Sequence, residues 1–299
     1  MRMDTEQISS DFQNLDALES GDILSLLVEG NRRAVEAVAD AQPALEHAAR
    51  LMVERLRDGG RIVYIGAGTS GRLAVQDAAE LLPTFSFDRT VVLMAGGAEA
   101  GSRALEGAED DDGAAVNEVE AAEVGAADVV SGVAASGRTP YTVAGVRRAR
   151  GLGAATIGIA NNPDTPLLSV AEVPVLLATG PEVLAGSTRL AAGTAQKIAL
   201  NSLSTTALVQ LGGAWRNLMV GMQPTNEKLR RRAVEIVASG ADVSLAVAGP
   251  ALEEAGWEMR TAIVMLLAGV EADVGRQALV HSGMRVRQAL SRLGVARVE

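Results

Sequence analysis

Two loops in this chain combine glycine with hydroxyl side chains, residue types that can hold a phosphate or a sugar. The first loop, residues 66–72 (GAGTSGR), follows a short apolar run and matches the pattern G-x-G-x-x-G. Its glycines permit a tight turn and let an anionic ligand approach the start of the next helix. A dinucleotide site would also place an acidic residue at the end of the second strand, but the first acid there is Glu99. The adjacent hydroxyls of Thr69 and Ser70 instead suit a sugar or a single phosphate; a tight turn without any ligand is the other interpretation.

The second loop, residues 134–140 (AASGRTP), follows another apolar run and ends in Pro140, a residue favoured at the first position of a helix. Ser136 and Thr139 therefore lie at a helix N-terminus, where free backbone N–H groups can bind phosphate without net positive charge. Helix capping is the commoner role of such side chains, and it stays open as the alternative. Because the carboxyl ends of parallel strands meet at one edge of a sheet, the two loops predict a single crevice.

The elements that position these loops are short β-branched runs, closed by glycine or serine and separated by helical stretches. Near-continuous apolar strands are typical of a parallel sheet that is covered on both faces. The sequence therefore predicts an α/β fold with a doubly wound parallel sheet. The five predicted strands are residues 61–65, 89–93, 128–133, 155–159 and 173–177.

In the parts of the sequence before and after the predicted strands, helical periodicity predicts helices. Residues 31–58 predict two helices interrupted by Pro43, whereas residues 1–30 leave open an ordered arm or a short helix. After Leu177 we expect helices only, and Pro224 is the best candidate boundary. The predicted parts are an N-terminal arm with helices (1–50), the α/β domain (51–224) and a helical C-terminal part (225–299).

Composition excludes several classes of protein. The 299 residues include 27 basic and 37 acidic side chains and carry a formal net charge of -10, which disfavours binding to nucleic acid or to an anionic membrane. A hydrophobic content of 48% excludes global disorder. The chain has no cysteine and two histidines, His47 and His281, so we expect no disulfide and no metal site. The N-terminus lacks the apolar region of a signal peptide, and the apolar run 262–270 has roughly half the length of a membrane span, which predicts a cytoplasmic protein.

A set of motifs that runs from Thr5-Glu6 to about Val237 resembles the family of N-acetylmuramic acid 6-phosphate etherases, which have the sugar isomerase (SIS) fold. The resemblance implies a reaction that removes D-lactate from N-acetylmuramic acid 6-phosphate and leaves N-acetylglucosamine 6-phosphate. The chain departs from the family pattern at Leu81-Leu82, where Cys-Pro is usual, and at Ala191, where lysine is usual. The matching segments are residues 66–73 (GAGTSGRL), 77–80 (DAAE), 83–85 (PTF), 106–110 (EGAED), 134–141 (AASGRTPY), 180–189 (GPEVLAGSTR), 192–197 (AGTAQK) and 225–229 (TNEKL).

The catalytic carboxylates of that family match Glu80 and Glu109. Elimination across C2 and C3 of an open-chain sugar needs a base for the C2 proton and an acid for the departing oxygen, and two carboxyl groups can supply both. The resemblance implies Glu80 as the acid and Glu109 as the base, with neither a metal nor a redox cofactor. The substrate-binding residues that it implies are Gly68, Thr69, Ser70, Ser136, Gly137, Thr139, Glu182 and Ser187.

The sequence around each carboxylate supports its implied catalytic role to a different degree. Glu80 lies among apolar residues, where desolvation would favour the protonated acid that its role requires, although an ordinary helix-end carboxylate fits the sequence equally well. Glu109 belongs to the acidic run 106–112, which by itself is more typical of a solvated surface than of a catalytic base.

Two other functions need the same crevice: a non-catalytic SIS sensor of sugar phosphates and an aldose–ketose isomerase. The two matched carboxylates favour the lyase over the sensor, and the length argues against regulators with two SIS domains. Glu80 follows Ser70 by ten residues on one helix, about 15 Å at 1.5 Å per residue, so a single hexose can hardly reach both. We therefore expect a homodimer in which the neighbouring subunit completes the crevice.

Overall fold

The computed structural model describes residues 3–295 of the chain. These residues form two units. The first contains the described residues up to Ala79 together with Arg89–Ser204, and the second contains Glu80–Asp88 together with the described residues from Thr205 onward. The domain boundaries expected after residues 50 and 224 stay predictions.

The first unit contains a sheet whose strands are β1 (Ile62–Gly66), β2 (Thr90–Met94), β3 (Val129–Val133), β4 (Ala155–Ala160) and β5 (Val173–Leu176). All neighbouring strands pair in parallel, in the order β2-β1-β3-β4-β5. The predicted fold class is confirmed, and every predicted strand lies within one residue of its expected ends. Since the chain passes from β1 to β2 on one side and later to β3 on the other, β1 and β3 flank the switch point at which α/β sheets form ligand crevices.

Helices pack against the sheet and connect its strands. Two of them, α3 and α7 in the list that follows, continue from the first unit into the second. Short 3₁₀ helices at Asp4–Glu6, Ser10–Phe12 and Leu15–Ala17 precede the first helix. The helices are α1 (Ser20–Asp40), α2 (Gln42–Arg57), α3 (Gly68–Phe85), α4 (Asp112–Ala121), α5 (Pro140–Gly151), α6 (Pro166–Val170) and α7 (Ala191–Leu208).

Successive side chains of β1 pack on opposite faces of the sheet. Val63 and Ile65 are fully buried in an apolar cluster with residues of α4 and α5. The hydroxyl of Tyr64 instead donates a hydrogen bond to Asp77 of α3. Because strand side chains alternate in direction, α3 lies on the face opposite α4 and α5, and the sheet is covered on both faces as the unbroken apolar strands predicted.

The N-terminal helices confirm the predicted break but begin earlier than expected. Pro43 lies in the first turn of α2, the position where a missing backbone N–H costs least. The preceding helix, α1, starts at Ser20 rather than near residue 31. Of its residues before 31, Gly30 alone is buried, and Ile23, Leu26 and Leu27 are half-buried at the same helical spacing.

The second unit contains one short hairpin, so the expectation of helices alone after Leu177 is wrong. Strand β6 (Ala214–Trp215) pairs antiparallel with β7 (Leu218–Met219). The chain leaves its helical path at Gly212, with φ +89°, and reverses at Arg216, with φ +52°. Strands of two residues are too short to give a periodic signal. The helices that follow are α8 (Glu227–Ala241), α9 (Leu245–Glu254), α10 (Met259–Ala268), α11 (Ala272–Val280) and α12 (Val286–Arg292).

The apolar run 262–270 lies mainly in α10 and forms part of the core of the second unit. Ala262, Ile263 and Val264 have no exposed surface, and they pack in one apolar cluster with residues of α8, α9, α11 and α12. Within residues 3–295, no single helix has both the length and the apolar composition of a membrane span; the bent pair α8 and α9 meets those two criteria only when taken together.

Candidate active site

A pocket of about 440 Å³ lies at the carboxyl ends of β1 and β3. The two loops identified in the sequence line it together, so the expected single crevice is present. Other parts of its wall come from the N-terminal segment (residues 3–6), the turn before α4 and the residues before α7. The predicted site residues that line it are Gly68, Thr69, Ser70, Glu109, Ser136 and Thr139. Those that do not line it are Glu80, Gly137, Glu182 and Ser187.

The first loop turns directly from β1 into α3. A Cβ atom on Gly66 would lie 3.0 Å from the Cα atom of Gly71, so strand and helix approach each other backbone to backbone. Gly68 opens the helix with φ +53°. The first N–H groups of a helix have no intrahelical acceptor, and the residues that carry them here, Gly68 to Ser70, line the pocket. The loop therefore offers backbone donors to an anionic ligand.

The Ser70 hydroxyl is committed to a buried amide network. It donates to Gln196 Oε1 at 2.8 Å, and Gln196 Nε2 donates to Asn161 Oδ1 at 2.8 Å. Asn161 in turn donates to the carbonyl of Leu177 at 3.0 Å. A serine hydroxyl has one hydrogen to donate, so in this arrangement Ser70 offers a ligand its oxygen lone pair and its backbone N–H.

The second loop keeps its hydroxyl hydrogens available. Ser136 Oγ accepts the N–H of Arg138 at 3.1 Å, which leaves its own hydroxyl hydrogen for another acceptor. Thr139 occupies the N-cap position of α5 but makes no side-chain cap hydrogen bond. Helix capping therefore does not account for Thr139, and both hydroxyls can donate to a phosphate beside the N-terminus of α5.

Gly137 shapes the second loop without lining the pocket. Its φ is +64°, a conformation that favours glycine. A Cβ atom there would lie 2.3 Å from Thr165 Oγ1. The residue therefore allows the loop to turn and to pack closely on the segment before α6.

Glu182 is buried and binds the start of α7. Its Oε2 accepts the N–H of Ala191 and its Oε1 the N–H of Ala192, both at 2.9 Å. A carboxylate at a helix N-terminus stabilises the unpaired N–H groups and the positive end of the dipole. Ser187 lies in the segment between these groups, but its neighbour Thr188 is the residue that lines the pocket.

Glu109 lies in the pocket wall, on the 3₁₀ turn Ala108–Asp110. The preceding Gly107, with φ +76°, sets the direction of that turn. The Glu109 side chain is exposed, as the acidic run predicted, and it still faces the crevice. Glu109 is therefore both an exposed surface residue and a residue of the pocket wall.

Glu80 lies on an exposed face of α3, and the expectation of a desolvated setting is wrong within this chain. Its sequence neighbours Ala78 and Leu81 are buried, whereas Leu82 is 51% exposed. Successive residues on a helix are rotated by about 100° around its axis, so the apolar residues next to Glu80 in the sequence point in other directions and do not cover it.

The N-terminal segment is a part of the pocket wall that the sequence patterns did not predict. Met3 and Glu6 line the pocket, and so does Arg138 of the second loop. The signal was available in the Thr5-Glu6 motif, but its chemistry gave no reason to place it here. Among the described lining residues, the acids Glu6, Glu109 and Asp110 face a single cation, Arg138.

A buried hydrogen-bond network fixes α3 beneath the first loop. Asp77 accepts the hydroxyl of Tyr64 at 2.7 Å and Asn201 Nδ2 at 2.8 Å. Burial, followed by the nearby charge of Asp77, raises the pKa of Tyr64 well above its usual range. Tyr64 therefore stays a hydrogen-bond donor and holds the helix on the sheet.

A larger cavity, about 550 Å³, lies between α4 and α5. Its lining includes Asn117 and Arg147 but none of the predicted site residues. Because it does not lie at the strand ends, the topology favours the smaller pocket as the site. Within residues 3–295, no three His, Cys, Asp or Glu side chains are placed to hold a metal ion.

Comparison with known proteins finds relatives that match nearly the whole chain. The family model of the glucokinase regulatory protein N-terminal SIS domain matches residues 44–149. An N-acetylmuramic acid 6-phosphate etherase of Deinococcus radiodurans is 49% identical over 290 residues, which cover 96% of this chain and 94% of the relative. A second, from Halalkalibacterium halodurans, is 42% identical over 294 residues, covering 98% of this chain and 99% of the relative.

Among solved structures, a phosphoheptose isomerase from Francisella tularensis is similar at a TM-score of 0.47. It is 19% identical and covers 64% of this chain and 98% of its own.

Proposed function

Since the chain belongs to the family of N-acetylmuramic acid 6-phosphate etherases, we propose that it cleaves the D-lactyl ether of N-acetylmuramic acid 6-phosphate by elimination followed by addition of water. The resemblance drawn from the motifs is confirmed by these near-full-length relatives. The products are N-acetylglucosamine 6-phosphate and D-lactate, which makes the enzyme a carbon–oxygen lyase.

The observation that carries this proposal is the pocket at the switch point, where two helix N-termini and free hydroxyls meet an acidic side chain. The phosphate binds at the second loop, to the hydroxyls of Ser136 and Thr139, with backbone N–H groups of the first loop beside it. These donors are local, which suits a protein of net charge -10. Binding of the phosphate requires no metal.

The carboxylates divide the chemistry between them. Glu109 takes the C2 proton of the open-chain aldehyde; the C3–O bond breaks, and its electron pair stays with the lactyl oxygen, which takes a proton from Glu80. An α,β-unsaturated aldehyde and D-lactate result. Water then adds at C3 while C2 regains a proton, so the net change is hydrolysis of the ether, without oxidation or reduction. Each acid or base contributes the ~10²–10⁴-fold typical of such groups.

A homodimer supplies the second carboxylate. Glu80 is exposed on α3, and a different face of the same helix carries two exposed apolar side chains, Val75 and Leu82, at 39% and 51%. Apolar residues seven apart lie on one helix face, and a second copy of the chain would cover that face. In the proposed dimer, Glu80 lies on the other flank of α3 and reaches the crevice of the neighbouring subunit across a two-fold interface. An active monomer in sedimentation at assay concentration would contradict the dimer.

A cytoplasmic location belongs to the same proposal. The substrate carries a phosphate and a carboxylate, and transfer of such charges into an apolar layer is strongly unfavourable. The substrate is therefore used in the compartment where it is formed.

The direct test is incubation of the purified protein with N-acetylmuramic acid 6-phosphate and measurement of D-lactate and N-acetylglucosamine 6-phosphate. We expect both products in equal amounts. Interconversion of an aldose phosphate and a ketose phosphate without lactate would favour an isomerase. Tight binding of sugar phosphates without turnover would favour a sensor.

A further inference from the structure

The N-terminal segment forms a wall of the pocket that the chemistry above does not use. Met3 and Glu6 line the pocket together with the first and second loops. Between them, Thr5 has no exposed surface. A segment without long regular structure that is buried at this point must be held by specific contacts, because ordering it costs conformational entropy.

One buried side chain, Asn162, makes those contacts. Its Oδ1 accepts the N–H of Thr5 at 3.2 Å, and its Nδ2 donates to the Thr5 hydroxyl at 2.8 Å. The same Nδ2 donates to the carbonyl of Ala135 at 2.9 Å. Ala135 directly precedes Ser136 in the second loop. A single amide, which both donates and accepts, therefore fixes the N-terminal segment to the loop that faces the phosphate.

The charge of Glu6 restricts what it can bind. Its Oε2 lies close to Gly186, where an added Cβ atom would be 3.4 Å away. An ionised carboxylate only accepts hydrogen bonds, and so do a phosphate and a lactyl carboxylate. Glu6 can therefore bind only the donor groups of the sugar, which are its hydroxyls and the amide N–H.

We propose that Glu6 is a specificity-determining residue, which orients the sugar by accepting hydrogen bonds from its hydroxyl or amide N–H groups. Asn162 is the positioning residue that presents Glu6 to the pocket. The inference rests on the proposed function for the identity of the substrate. It gives a role in sugar binding to the N-terminal segment, which takes no part in the catalytic steps described above.

Glu6 is tested by steady-state kinetics of D-lactate release. Glu6→Ala should raise KM at least about tenfold, as expected for a lost hydrogen bond to a charged group, with a smaller change in kcat. Glu6→Gln keeps one acceptor and should raise KM less. Gln7→Ala is the matched control, since Gln7 bonds Asp4 in the same segment and does not line the pocket; its KM should not change. An unchanged or lower KM for Glu6→Ala would overturn the proposal, because the carboxylate would then only repel the phosphate.

Asn162 is tested through its partner Thr5. Thr5→Val keeps the side-chain volume but loses the hydroxyl, and should raise KM; Thr5→Ser restores the hydroxyl and should recover most of the loss. When Thr5→Val is combined with Glu6→Ala, it should add little, because both changes remove the same interaction. Full additivity, in variants whose thermal unfolding shows them to be folded, would overturn the positioning role.

Calorimetric binding of N-acetylglucosamine 6-phosphate separates this inference from the proposed function. If the unchanged protein binds the product but releases no lactate, and Glu6→Ala raises Kd at least about tenfold, the proposed function is wrong and the binding role of Glu6 is supported. If lactate is released and Glu6→Ala changes neither Kd nor KM, the binding role of Glu6 is wrong and the proposed function is supported. If the unchanged protein neither binds the product nor releases lactate, both the function and the role of Glu6 are wrong.

Discussion

The two carboxylates matched to catalysis lie in regions of opposite character. Around Glu109 the chain builds a pocket, with walls from both loops and from the N-terminal segment. Around Glu80 it builds an exposed part of helix α3, where Leu82, on another face, is also 51% exposed. The pocket walls assemble because strand ends of one sheet converge, whereas the face of α3 has no such local cover. A single chain therefore holds Glu109 in a formed cavity and Glu80 on an exposed helix surface, and this difference is the reason why the proposed function includes a second subunit.

The largest expected effect separates the two carboxylates by half-reaction in deuterated water. Glu109→Gln should lose both lactate release and exchange of the C2 hydrogen by at least ~10²-fold, since no base remains. Glu80→Gln should lose lactate release and still incorporate deuterium into unreacted substrate, provided that the aldehyde form is reached. Mass spectrometry of recovered substrate measures the exchange. The opposite pattern would reverse the two roles, and full activity in both variants would remove both residues from the mechanism.

Mixing the two inactive variants sharpens the comparison. If the acid comes from the neighbouring subunit, a mixed dimer of Glu80→Gln and Glu109→Gln contains one site with both carboxylates. An equal, fully exchanged mixture should then recover roughly a quarter of the unchanged activity, because half of the dimers are mixed and each has one intact site of two. Subunit exchange is followed by native mass spectrometry with one variant isotopically labelled. Exchange without recovered activity would place both carboxylates in one chain.

A smaller effect is expected within the pocket region. Replacing Ser136 and Thr139 together by alanine should raise KM for the sugar phosphate at least about tenfold, because two donors to a charged group are lost. The effect on kcat should be smaller, since neither residue meets the reacting carbons in the proposed mechanism. An unchanged KM would show that the phosphate binds elsewhere.

The smallest kinetic effect is expected at Ser70. Ser70→Ala removes the donor to the buried Gln196, so the free energy of unfolding should fall by about 1–3 kcal/mol. KM should rise less than in the Ser136 and Thr139 variant, because the Ser70 hydroxyl is already committed inside the protein. Denaturant unfolding and lactate kinetics on the same samples measure both quantities. A large rise in KM with unchanged stability would mean that Ser70 turns its hydroxyl to the ligand.

The sheet and its loops could be predicted because their signals are local. Each strand is a short apolar run, and the turn chemistry of Gly68 or Pro140 lies within the loop that it shapes. The hairpin Ala214–Trp215 with Leu218–Met219 could not be predicted, because two residues per strand leave no period to detect.

The parts of the site that the sequence did not reveal depend on distant partners. Ser70 and Gln196 are 126 positions apart, so no local pattern shows that the hydroxyl is occupied. The neighbours of Glu80 in the sequence are apolar, but Leu81 faces the core and Glu80 does not. Helical geometry, rather than composition, decides which neighbour covers a side chain.

The contact between Thr5 and Asn162 also sets an order of events during synthesis. These residues are 157 positions apart, so at about 5–20 residues per second Asn162 leaves the ribosome roughly 8–30 s after Thr5. The N-terminal segment emerges before β4 but can dock only after β4 has been made. Closing so long a loop is slow compared with forming the helices nearby. This wall of the pocket can therefore form only after the chain has been made as far as Asn162, later than the helices that are built from neighbouring residues.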